Sequence, residues 1–241
     1  MGVFPKIWIN ILLLVFVSFL SWVYTEECFK FLKKQENYVL FNVTDANLSE
    51  SAEFSLTFRT SKPDGMIFYI EGMYSKEAPY DFESVYLRDG KLNYLVFNPD
   101  STGIGRSYGS HVMTDFDVNT NEDIQVNFFR RKESPATSHD LGMLAHLARE
   151  NETAIRTVFR SGFVVNGKEF TTLSGTFPLD LKDNQDEQYI WIGGAFPSRK
   201  MEHFDGIIRD IVNIELNQVL DSPDGRSLYL SCEEADSNET E

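Results

Sequence analysis

The sequence predicts an all-β fold, two antiparallel sheets packed as a sandwich, on three observations. Between Asp81 and Asn98, Val85 and Leu87 alternate with Ser84, Tyr86 and Arg88. Asp89-Gly90 interrupts, and an apolar run from Leu92 to Phe97 returns. The alternation marks a strand with one wet face, and Asp-Gly suits a tight turn of two positive-φ residues. Short runs of the same kind recur along the chain at near-regular spacing, and helical periodicity is almost absent. One hairpin cannot hide its own apolar face, so these runs must supply the further strands of a two-sheet sandwich.

Residues 1–25 stand outside that sandwich. Lys6 precedes an apolar run from Ile7 to Tyr24, and Glu26-Glu27 follows at once, the layout of a secretory signal cleaved after Thr25. An uncleaved anchor stays open, because a run of about 18 residues reaches the lower edge of a bilayer span. Residues 26–232 then read as one domain. The segment from Cys28 to Lys34 is mixed, and regular pattern starts at Tyr38–Phe41. Phe54, Leu56 and Phe58 point one way and Ser55, Thr57 and Arg59 the other. Ser61–Gly65 is a turn with Pro and Gly in place. Met66–Ile70 is apolar on both sides and so predicts a central strand.

After the opening hairpin, residues 99–123 are loop-like around a short strand at Ser110–Met113, and Asp123–Arg131 alternates again. From Ser138 to Asn151, Leu141, Leu144, Ala145 and Ala148 share a helical face, which predicts a short helical insertion. Strands resume at Ala154–Phe159 and at Phe163–Phe170, the latter turning on Asn166-Gly167. Tyr189–Ile192, Ile207–Leu216 and Leu228–Cys232 complete the set. Residues 233–241 carry acids and no large apolar side chain, which predicts a disordered tail.

A formal net charge of −15 excludes attraction to nucleic acid or to anionic membrane by the overall field. Local basic spots exist, and the most notable, Arg130-Arg131-Lys132, reads as a solvated strand end. Four sequons, at Asn42, Asn47, Asn151 and Asn238, agree with export and predict N-glycosylation. The two cysteines, Cys28 and Cys232, lie at opposite ends of the domain, and an even pair in an oxidising compartment is bridged. Such a bridge makes the first and last strands neighbours.

With these runs laid out, the chain resembles the laminin G-like domains of laminins, neurexins and agrin. Phe54–Tyr69 is similar to that family's phenylalanine-rich strand with its "FRT…G" turn, and Asp81–Gly90 to its "D-x-(x)-L-x-L-x-x-G" strand. Glu122–Arg131 and Phe163–Lys168 resemble two further family strands, with Asp123-Ile124 and Asn166 as departures. Ile190–Gly194 followed by Phe204–Asp210 is similar to its "Y-I-G-G … F-x-G-C-I-R-D" ending. Ile207 stands where the family has cysteine, so the resemblance leaves Cys28 as the partner of Cys232.

The resemblance implies a jelly-roll sandwich that binds other extracellular molecules at one rim, often around calcium, without catalysis. Carried over residue by residue, Asp81 falls on the metal-binding aspartate and Asn98 on the residue lending a backbone carbonyl. Asp180 and Asp183 are the candidates for the second carboxylate. The residues themselves support no chemistry. Gly105-Arg-Ser107-Tyr-Gly109 matches a serine-hydrolase string but lies in a polar loop with no helix after it. His111, His139, His146 and His203 have no zinc-site spacing, and no strand carries the facing carboxylates of a glycosidase. The expectation is a secreted, non-catalytic module for an extracellular protein or glycan. The alternatives are a lectin-like carbohydrate binder or a carrier of small hydrophobic ligands on the same sandwich.

Overall fold

A computed structural model describes residues 27–49, 51–71, 81–99, 107–133, 158–175, 188–194 and 202–232. The predicted insertion from Ser138 to Asn151, the signal and the tail lie outside these residues. Fourteen strands are present among them: β1 Cys28–Phe31, β2 Val39–Asn42, β3 Ala52–Arg59, β4 Gly65–Glu71, β5 Phe82–Arg88, β6 Lys91–Pro99 and β7 Ser107–Met113. Then follow β8 Ile124–Glu133, β9 Val158–Val165, β10 Lys168–Gly175, β11 Tyr189–Ile192, β12 Gly206–Asn213, β13 Gln218–Val219 and β14 Leu230–Ser231.

They form two antiparallel sheets. One runs β10-β9-β8-β3-β12-β1-β14, with β13 beside the far half of β12, and the other runs β2-β11-β4-β5-β6-β7. The apolar run of β4 is central, as its two-sided pattern requires. Both predicted turns form: Asp89 and Gly90 have φ of 51° and 77°, and Asn166 and Gly167 have 51° and 74°. Each is a type I′-like pair that matches the twist of its hairpin. Some strands depart from the sequence reading: β7 begins at Ser107 rather than Ser110, and β9 runs unbroken from Val158 to Val165. The mixed segment after Cys28 forms β1, whose buried Phe29 and Phe31 alternate with Cys28 and Lys30.

The inward sides fill the space between the sheets with rings. Phe68 of the six-stranded sheet meets Phe128 of the other at 4.6 Å, edge on, and Phe54 at 5.0 Å. A fully buried phenylalanine contributes about 1.5–3 kcal/mol, so these contacts hold the two layers face to face. The outward side of the six-stranded sheet is less wet than alternation implies. Ser84 is 1% exposed and Tyr69 fully buried, with Met66, Phe82, Tyr86 and Trp191 packed beside it.

The sandwich is closed by its C-terminal segment. After β13 the chain crosses to the edge of β2, where Tyr38 and Leu228 exchange hydrogen bonds and Asp224 donates to the Leu40 carbonyl. It then returns to the larger sheet as β14, beside β1. Phe29 pairs with Ser231, and just beyond that rung Cys28 and Cys232 are disulfide-bonded with Cα atoms 5.4 Å apart. The end-to-end bridge therefore closes the end of the β1–β14 ladder.

Candidate functional site

Sheet register decides which of the predicted ligands meet. In the β5–β6 hairpin Phe82 lies opposite Phe97, and Asp81 and Asn98 are the next residues outward on the two chains. Asp81 is 3% exposed although it begins at the end of a strand, and its side chain shares the inward parity of Val85 and Leu87. A buried carboxylate and a strand-end carbonyl are oxygen donors of the type calcium takes, and these are the residues that could lend them. Among the described residues no group of three or more His, Cys, Asp or Glu is positioned to hold a metal.

Asp180 and Asp183 lie outside the described residues. The chain is described again at Gln188, which enters β11 on the same rim. Tyr189 is opposite Asn42, and the β11–β4 register places it opposite Glu71, itself paired with Phe82. Two strand spacings, about 10 Å, separate that point from Asp81. The rim is floored on its outward side by aromatic rings: Phe82 stacks on Phe97 at 5.1 Å and lies 5.9 Å from Tyr69. Farther along, Trp191 packs on Tyr38 at 5.1 Å, and the Arg226 guanidinium sits 4.6 Å above the Tyr189 ring.

One residue in from Phe82 is a cluster that the sequence reading missed. Glu83 is fully buried, and its two oxygens accept from the Tyr94 hydroxyl at 2.5 Å and from Arg130 Nε at 3.1 Å. Arg130, 2% exposed, also donates to the Ser49 carbonyl at 3.1 Å and to that of Leu48. Burial, reinforced by the Glu83 charge, holds the Tyr94 phenol well above its ordinary pKa. This corrects the expectation for Arg130, which is not part of a solvated strand end, and gives Glu83 a buried partner. Glu83 has the inward parity of Val85, and Arg130 that of Val126 and Phe128, so each puts a charge on an apolar face. A buried charge needs a buried partner, and that was the signal available.

Two of the four sequons can be located. Asn42 and Asn47 are exposed, and in each the sequon hydroxyl donates to the asparagine carboxamide: Thr44 at 2.6 Å and Ser49 at 2.7 Å. Asn151 and Asn238 lie outside the described residues. Ser107, from the hydrolase-like string, sits in strand β7 rather than on a strand-to-helix elbow. No helix among the described residues is long and apolar enough to cross a membrane.

Comparison with known proteins agrees with this architecture. Residues 58–215 match the family model described as Laminin G domain. Domains LG4-5 of the mouse laminin alpha1 chain superpose with a TM-score of 0.58 at 15% identity, covering 87% of this chain and 48% of that one. The LG1-3 region of the laminin alpha2 chain gives 0.53 at 16%, covering 86% of this chain and 35% of that one. This chain thus spans half or less of those longer proteins. No curated protein matches it in sequence.

Proposed function

Because the chain belongs to the laminin G domain family, we infer that it is a non-catalytic extracellular module that binds a protein or glycan through the rim at Asp81. The observation that supports this reading is the buried carboxylate of Asp81 at the end of the β5–β6 hairpin, one residue beyond the Phe82–Phe97 pair. Calcium is the ion that carboxylate would help to hold. Bound there, it would present a coordination position to a partner's oxygen. Asp180 and Asp183 are proposed as the remaining carboxylates, and the four sequons and the apolar start fit a secreted or surface-held glycoprotein.

Calcium titration of the secreted chain by calorimetry tests the reading. Saturable binding is expected, with at least about a tenfold loss of affinity in Asp81→Ala, because one of few charged ligands is gone. Binding that survives the substitution unchanged overturns the assignment of the rim.

The aromatic floor at Phe82, Phe97 and Trp191 favours a glycan as the second reading of the partner, since sugar rings stack their C–H faces on such surfaces. Selective retention on a glycan array, lost in Trp191→Ala, would support it. A small-ligand carrier receives no comparable support, because rings from both sheets fill the interior.

A further inference from the structure

The edges of this sandwich are managed unevenly. β2 is an outer strand of the six-stranded sheet, and such a strand offers unpaired N–H and C=O groups to any other chain. Along most of its length the C-terminal segment occupies them. Tyr38 exchanges both hydrogen bonds with Leu228, and the Leu40 main chain bonds to Ser227 Oγ and to the Asp224 N–H. Main-chain groups alternate in direction along a strand. Val43 donates inward to Gln188, so Asn42, like Tyr38 and Leu40, turns its groups to the open edge. Among the described residues the covering segment makes no bond at Asn42; its last one is at Leu40.

That uncovered position is itself a sequon. The Asn42 side chain is exposed and has the outward parity of Leu40. Its carboxamide oxygen accepts from the Thr44 hydroxyl at 2.6 Å and from the Thr44 N–H at 3.0 Å. We propose that Asn42 carries an N-linked glycan that guards the open end of the β2 edge and prevents two copies of this sheet from pairing edge to edge. The glycan supplies bulk and hydration where the covering segment stops, as charges or prolines do on other exposed edges. Asn47 also carries an exposed sequon, but it lies in the loop after β2 and on no strand, so sugar there would guard nothing.

The proposal rests on the extracellular reading and is tested on the full chain secreted from animal cells. Peptide mass spectrometry after enzymatic deglycosylation in heavy-oxygen water maps the occupied sites, and sedimentation velocity over a concentration series reads self-association. Asn42 is expected to be occupied and the native protein monomeric. Asn42→Gln, or trimming the sugar from the folded protein, is expected to lower the concentration of dimer formation by about tenfold or more, as exposing an edge does. Asn47→Gln should leave it unchanged. Asn42→Lys, which replaces the glycan with a charge on the same edge, should restore the monomer. An unmodified Asn42 beside an occupied Asn47, or an Asn42→Gln variant as monomeric as the native chain, overturns the proposal and leaves the extracellular reading standing. A chain that is retained in the cell with no sequon occupied overturns both.

Discussion

Gly193 shows how a motif can be visible in sequence while its cause is not. The Gly193-Gly194 pair was recognisable as part of a family string, but nothing local says why glycine is needed. The structure places Gly193 at φ 78°, with the Phe31 ring where a Cβ would stand, and puts the His203 ring against Gly194 in the same way. Phe31 belongs to β1, the strand whose mixed sequence gave no period, so the partner that forbids a side chain was hidden. Gly193→Ala combines a left-handed backbone with overpacking and is expected to lose about 2–4 kcal/mol in urea unfolding. Asp210 is the contrasting case. It sits at φ 55° in the β12 bulge, where Asp210 and Ile211 together oppose one residue of β3. Asp210→Gly relieves that backbone at the cost of the Arg209 ion pair, and should change stability by less than about 1 kcal/mol.

At the scale of elements, strand alternation identifies the residues that enter the core from β3 and β5, Phe54, Leu56 and Phe58 with Val85 and Leu87. It misleads where a charged side chain follows the same parity, because charge by itself suggests exposure. Glu83, Tyr94 and Arg130 lie on inward positions of β5, β6 and β8 and link the two sheets, with the loop after β2 held by the Arg130 guanidinium. Removing one partner strands a buried charge, so Glu83→Gln is expected to cost about 3–5 kcal/mol. Replacing all three, as Glu83→Leu with Tyr94→Phe and Arg130→Met, should be far milder than the sum of its parts. The phenol also gives a pH dependence with a definite sign. Its folded pKa is raised, so the contribution is complete below the ordinary phenol value near 10 and is lost as pH climbs beyond it. Tyr94→Phe should flatten the alkaline limb of a stability–pH curve measured by urea unfolding. A limb of unchanged slope would remove Tyr94 from that account.

For the whole molecule, the closing of the sandwich and the proposed binding rim are expected to be separable. The family match covers residues 58–215, which contain Asp81 and Asn98 but neither cysteine. The bridge could be read in sequence because only two cysteines exist, and Ile207 occupies the position that would have offered another partner. That it joins the first and last strands followed from the pairing, but the register did not, since β1 has no visible pattern and β14 is only two residues long. In the structure the bond holds that short rung and, through it, the segment over the β2 edge. It closes a loop with a sequence separation of 204, for which the chain-entropy model gives roughly 5 kcal/mol, the upper end of what such bonds deliver. Cys28→Ser with Cys232→Ser should therefore lower the melting temperature and speed amide exchange at Tyr38, Leu40 and Leu228. Those amides lose their cover first when β14 lifts. Calcium affinity at Asp81 should stay within about twofold, because the β5–β6 rung draws on neither end of the chain. If the double variant loses calcium binding while its core amides remain protected, closure and rim form one cooperative unit, and the site extends to the C-terminal segment.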